Sequence, residues 1–291
     1  MQPLASPRRQ RSKPETMRAP EPAVIHPLLL GGCLLSGVFA ALWWRQTRTR
    51  DATSVDAAWA LAIGGGALLA GLFGDGAPLP RLLGTAIALL WSGRLGYHLL
   101  RHRVFGHAGE DGRYRAMREH WGERADRHFF WFYQAQAAAA FAFALPFWWL
   151  AQHPEPSLST LQTAGVAVFV LAQAGEWIAD RQLERHRRDP AQRGRTCRSG
   201  LWAYSRHPNY FCEWLSWCGI ALLAAPAAGA WAVLQPLCMF VLVRFLSGVP
   251  FTELQALKSR GDDYRRYQRE TNAFFPWFPR QASSRQQEAA R

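Results

Sequence analysis

The chain has 291 residues, a net charge of +13, 14 Trp and 17 Phe, and half of it is apolar. Length alone allows two soluble domains or one membrane bundle, but such oily segments joined by such basic loops exclude an ordinary soluble domain. The excess positive charge is spread over loops between apolar runs, so it calls for anionic lipid or bound phosphates and not for nucleic acid.

Seven apolar runs follow in chain order, at about 26–44, 54–73, 81–100, 129–150, 161–179, 210–225 and 229–248. Each is close to the roughly 20 residues that cross a bilayer core as a helix. None alternates like the strands of an outer-membrane barrel. The expected fold is therefore all-α, a polytopic bundle of about seven transmembrane helices over residues 26–280. Residues 1–25, rich in Pro, Arg and Ser, and residues 281–291 are expected to be disordered tails. No cleavage-site pattern follows the first run, so a signal peptide is not expected, and Met17 is a second candidate start.

Basic residues orient the bundle. The loop 101–128 holds seven Arg, 180–209 holds eight, and the stretch from Arg244 onward holds nine Lys or Arg. Segments 74–80, 151–160 and 226–228 hold none. The positive-inside rule then puts the basic loops and the C-terminus in the cytoplasm. The arginines at 8, 9, 11 and 18 of the N-terminal tail run against that rule.

A few polar residues interrupt the apolar runs. Asp56 opens the second run in "SVDAAWA". In "SGRLGYHLLR", Arg94, Tyr97, His98 and Arg101 share one helical face, which is expected to look inward or, alternatively, to anchor at the headgroups. Glu176 and Asp180 stand four apart at the end of the fifth run, and a helix continued through "IADRQLERHR" would add Arg187 to their stripe. A solvated helix end reads equally well. Pro208 is a natural first-turn residue, with Arg206 or His207 in the capping region. A helix starting there offers free N–H groups and positive charge to an anion such as a phosphate. One turn in, Asn209 and Glu213 share a face, and an amide with a carboxylate suits a carboxamide or ribose hydroxyls.

The five cysteines show no CxxC pair and no ligand spacing for a metal, so neither a disulfide framework nor a metal site is expected. There is no GxGxxG after a strand, no GxxxxGK[ST], no GxSxG and no HExxH. The glycines of "IGGGALLAG" are expected to let helices approach closely.

The stretch "GLWAYSRHPNYFCEW" resembles the C-terminal signature of the steroid 5-alpha-reductase-like membrane reductases, and more closely their bacterial DUF1295 branch. "SVDAAWA", "RLGYHLLRHR", "DGRYRAMREHWG" and "SGVPFTELQALKSRGDDYRRYQRETNAFFPWFP" extend the resemblance over about residues 50–280. It implies a seven-helix bundle that binds NADPH from the cytoplasmic side through its C-terminal part, 180–280. Hydride then goes to an activated C=C bond of a steroid-like or other lipid. Asn209, Tyr210 and Glu213, with Asp180 and Arg187, match the cofactor pocket that the resemblance implies. Where the family has Asn four residues before that Asp, this chain has Glu176. Tyr264 and Tyr267 match a C-terminal Tyr-x-x-Tyr element, and Arg206 and His207 are expected beside the phosphates. Tyr97, backed by His98 or Asp56, is the expected donor to the substrate carbonyl. Rival readings are an S-adenosylmethionine-dependent methyltransferase of the isoprenylcysteine carboxyl type, which shares the Arg-His-Pro turn and a tail with Glu253, and a non-catalytic lipid-binding protein. No obligate protein partner is indicated.

Overall fold

The computed structural model describes residues 27–106 and 109–280; the two expected tails, 1–25 and 281–291, lie outside the described residues. The described residues form nine α-helices: α1 Pro27–Thr49, α2 Val55–Phe73, α3 Pro78–Leu99, α4 Gly112–Trp121, α5 Ala125–Ala151, α6 Thr160–Arg188, α7 Pro208–Ala228, α8 Leu234–Val241 and α9 Val249–Glu270. No strand occurs among them. The protein is an all-α, polytopic membrane bundle. Its outer surface exposes Leu34, Val38, Leu72, Leu82, Leu90 and Leu171, a distribution suited to lipid and not to water.

Four helical stretches have both the length and the hydropathy to cross a membrane: α1, α2, α6 and part of the run Pro208–Glu270. The helices α3 and α5 are long enough at 22 and 27 residues, but Arg81 and Arg94 in α3 and Gln134 and Gln136 in α5 dilute their apolar character. The last expected span, 229–248, is not one regular helix. A 3-10 turn (Gly229–Val233), the short α8 and a π turn (Leu242–Leu246) share it.

Close helix contact is set by small residues. Gly64 and Gly71 of α2 meet Ser92 and Thr85 of α3, as the glycine-rich run predicts. The tightest pairing joins α6 to α7, where a Cβ on Gly165 would lie 2.6 Å from the Leu223 nitrogen and one on Gly219 would lie 2.7 Å from the Gly165 oxygen. Without side chains there, the two backbones touch directly. Aromatic rings fill the centre: Trp217 packs edge-on against Trp91 (5.0 Å between centroids) and Phe143 (4.6 Å), and Trp59 touches both Trp91 and Phe143.

At the Arg-rich end, α9 is amphipathic and folds back over the turn that precedes α7. The Tyr267 hydroxyl donates to the carbonyls of Trp202 and Ser205, and the Arg206 amide donates to Asn272 O at 2.9 Å. Ser205 Oγ donates to Phe274 O at 2.8 Å. The turn and the C-terminal segment thereby satisfy each other's backbone groups.

Candidate functional site

Pro208 at the first position of α7 leaves His207 as the capping residue, and α6 continues unbroken to Arg188. Together these two helices bring Glu176, Asp180, Asn209 and Glu213 to one place. Asn209 Nδ2 donates to Asp180 Oδ1 at 3.1 Å. From α3, Arg94 reaches all three acids: its Nη2 lies 2.6 Å from Glu176 Oε2 and 3.4 Å from Glu213 Oε2, and its Nη1 lies 3.9 Å from Asp180 Oδ2. The carboxylate one turn inside α7 thus has a partner 119 residues earlier in the chain.

Two indoles complete the setting. Trp91 Nε1 donates to Glu213 Oε1 at 2.8 Å, and Trp217 Nε1 donates to the same oxygen at 3.3 Å. Glu213 and Glu176 are each only 7% exposed. Sequence reasoning missed both tryptophans. The signal was present, since Trp91 lies three residues before Arg94 and Trp217 four after Glu213, each one turn along its helix.

The expectation for the face Arg94–Tyr97–His98–Arg101 needs correction. Only Arg94 turns into the bundle. Tyr97 is 63% exposed, its hydroxyl meets Arg101 Nη1 at 3.3 Å, and His98 is exposed beside the His102 ring. The buried face of α3 is instead Trp91, Ser92, Gly96 and Leu99, because those small and apolar residues are the ones that fit against α2. From this face Arg94 alone forms ion pairs with α6, at Glu176 and Asp180.

Asp56 is committed elsewhere. Its carboxylate accepts from Tyr114 Oη (2.6 Å), Arg113 Nη2 (2.6 Å) and Arg103 Nη1 (3.1 Å). Burial, followed by the charge of Asp56, drives the Tyr114 hydroxyl far above its ordinary range, so it stays a donor. With both oxygens engaged, Asp56 ties the start of α2 to α4 and shares no hydrogen bond with the Arg94 cluster among the described residues.

Arg206 and His207 are likewise occupied. Arg206 Nε donates to Glu253 Oε1 at 2.7 Å and its Nη1 to the carbonyls of Gln268 and Thr271, while His207 Nε2 lies 3.3 Å from the same carboxylate oxygen. Burial would raise Glu253, but the His207 hydrogen bond and the Arg206 charge outweigh it and bring it down to about 2. Burial lowers His207, against the opposing pull of Glu253. Tyr264 and Tyr267 lie on the buried face of α9, and burial raises both hydroxyls. Tyr210 bonds Thr252 at 3.0 Å. The exposed Arg187 makes no ion pair among the described residues, so it does not extend the stripe of Glu176 and Asp180.

A second feature lies beyond Asp180 on α6. A cavity of about 720 Å³ is lined by Gln182, Arg185, His186, Arg195 and Arg198, with Asp189 and Asp263 on its wall. Arg198 is held by Asp263 (2.9 Å) and Glu270 (2.8 Å); Arg185 and Arg195 form no ion pair among the described residues. Its size and two uncommitted guanidinium groups suit a phosphorylated ligand.

No curated protein and no solved structure matches this chain. A family model described as "Protein of unknown function (DUF1295)" matches residues 42–271, which takes in α2 to α9, the Arg94 cluster and the basic cavity. On that match the chain belongs to the DUF1295 family.

Proposed function

We propose that the protein is a membrane-embedded, NADPH-dependent reductase that transfers hydride to an activated C=C bond of a steroid-like or other lipid. One observation carries this reading. An amide and acid cluster (half-buried Asn209 and Asp180, buried Glu213) lies in an otherwise apolar bundle, and an arginine-lined cavity lies farther along the same helix, α6. A dinucleotide has that polarity: an uncharged carboxamide ring at one end and phosphates at the other.

Asn209 offers an amide, and Asp180 and Glu213 offer acceptors for the carboxamide and ribose hydroxyls. Arg94 Nε is buried without an acceptor, so the cluster retains unused donor capacity. Arg185 and Arg195 would pair with phosphates. When bound, the reduced dinucleotide supplies the hydride. Trp91, Trp217 and Phe143 keep water from that end of the site. The lipid is proposed to approach along α3, with Tyr97 or His98 donating to the carbonyl oxygen as it gains charge. Asp56 is not retained in this role, because its carboxylate is engaged by Tyr114, Arg113 and Arg103. The basic end is proposed to face the cytoplasm, in line with the positive-inside rule, and the likeness to a bacterial family branch supports a bacterial inner membrane.

Titration of the purified protein in detergent with NADPH, NADH and S-adenosylmethionine tests the reading. Binding of NADPH with oxidation upon addition of an enone lipid is expected. Binding of S-adenosylmethionine alone would transfer the case to a methyltransferase.

A further inference from the structure

The helix α9 follows the last of the seven apolar runs, and its first half is two-sided. Val249 and Ala256 are buried on one side, while Phe251 and Leu254 are exposed on the other, with Lys258 one turn farther along. The π turn Leu242–Leu246 packs against the start of α9 and adds Phe245 and Leu246, both more than half exposed. Phe245 touches Phe240 (5.8 Å between centroids), and Phe240 touches Phe275 of the segment behind α9 (5.9 Å). Phe275, Trp277 and Phe278 of that segment are also more than half exposed. This strip of apolar and aromatic side chains continues the lipid-facing surface of the bundle past its last span.

Charge marks both ends of the α9 part of the strip. The Arg244 guanidinium lies 5.1 Å from the Phe245 ring centre, and Lys258 is exposed beyond Leu254. Neither forms an ion pair among the described residues. Cations flanking an apolar strip match headgroup phosphates above acyl chains, and a lysine can keep its stem on the apolar surface while its ammonium reaches them. Because the strip is continuous with the bundle's outer surface, whatever covers Phe245 covers Phe251 as well.

A joint ends the strip. Gly261 has φ 49° and ψ −119°, a non-helical conformation that glycine adopts at little cost. Beyond it the exposed residues of α9 are Asp262, Arg265, Arg266 and Arg269, all charged. There Asp263 accepts from the Thr196 amide at 2.8 Å and from Arg198 at 2.9 Å, on the wall of the basic cavity. The kink therefore divides an apolar half from a charged half that borders the cavity.

We propose that the first half of α9, together with Phe275, Trp277 and Phe278, is an interfacial element seated in the membrane leaflet on the Arg-rich side, and that Arg244 and Lys258 give this seat a preference for anionic lipid. The seat holds whether or not a dinucleotide occupies the cavity, so it stands apart from the reductase reading.

Full-length protein in nanodiscs of phosphatidylcholine, with or without phosphatidylglycerol, tests this. The chain has two lysines, Lys13 and Lys258. A lysine-specific endoprotease can release the C-terminal segment only by cutting after Lys258, which requires that turn of α9 to lift and open. With phosphatidylglycerol, release should slow about tenfold, given two cations at an anionic surface. High salt should erase the difference. The double variant Phe251→Ser, Leu254→Ser should be cut quickly in both lipids, which also controls for lipid effects on the protease. Arg244→Gln keeps the apolar strip and should shrink the lipid difference, so the test survives if the double variant fails to fold. Equal release from wild type in the two lipids overturns the inference, as does a full lipid response in the double variant. Protection that ignores lipid but falls on dilution in detergent would assign the face to a second copy of the chain and overturn it likewise.

Discussion

Arg94 Nη2 lies 3.4 Å from Oε2 of Glu213, and this contact joins α3 to α7 at the level where both helices are otherwise apolar. A half-buried guanidinium is the only cation reaching Glu176, Asp180 and Glu213 among the ion pairs of the described residues. Arg94→Leu should therefore strand buried carboxylates and lower stability by about 3–5 kcal/mol. Melting in detergent measures this, and addition of Glu213→Gln should restore part of the loss. An Arg94→Leu protein as stable as wild type would show that the acids are already neutral without it.

Asn209 is the most direct probe of cofactor binding. Its amide bonds Asp180 and its own turn, so Asn209→Ala removes a polar contact and leaves the packing intact. Loss of one hydrogen bond to a buried or charged partner, about 1.5–3 kcal/mol, should weaken NADPH about tenfold or more. Unchanged affinity would remove Asn209 from the pocket.

Tyr97 tests the chemistry. If its hydroxyl polarises the substrate carbonyl, Tyr97→Phe should cut turnover on the order of 10²-fold and leave NADPH affinity unchanged. Full activity in that variant would move the role to His98.

Glu253 gives the pH prediction. Its carboxyl is held at about 2 against an ordinary 4.5, so the folded state binds the proton more weakly than the unfolded one. The clamp of α9 on Arg206 is complete above pH 4.5 and is lost as pH falls toward about 2. That window holds at most about 3 kcal/mol. Glu253→Gln should flatten the acid limb of a stability-against-pH curve, and an unaltered limb would place the acid sensitivity elsewhere.

The contact of α6 with α7 depends on Gly219. A methyl group there would lie 2.7 Å from the Gly165 oxygen, so Gly219→Ala must push the helices apart, at roughly 1–3 kcal/mol. Gly65 has nothing within 4 Å of its missing Cβ, and Gly65→Ala should be tolerated. Equal melting temperatures for the two variants would contradict the close approach.

The helical membrane class was legible in the sequence because apolar length is a one-dimensional property. A run near 20 residues has few ways to satisfy its backbone in lipid except as a helix. Local spacing likewise placed Pro208 at the start of α7 and put Asn209 and Glu213 on one face of it, since a helical turn is a fixed offset. Offsets say nothing about partners in other helices. Arg94 meeting Glu213, and Arg206 meeting Glu253 instead of a free anion, depend on how α3 and α9 pack against α7. The face of α3 shows the limit plainly: polarity predicted Tyr97 and His98 inside, yet Ser92 and Gly96 went inside because only they fit α2. Periodicity fixes which residues share a face; steric fit between helices decides which face is buried, and that exists only in the assembled bundle.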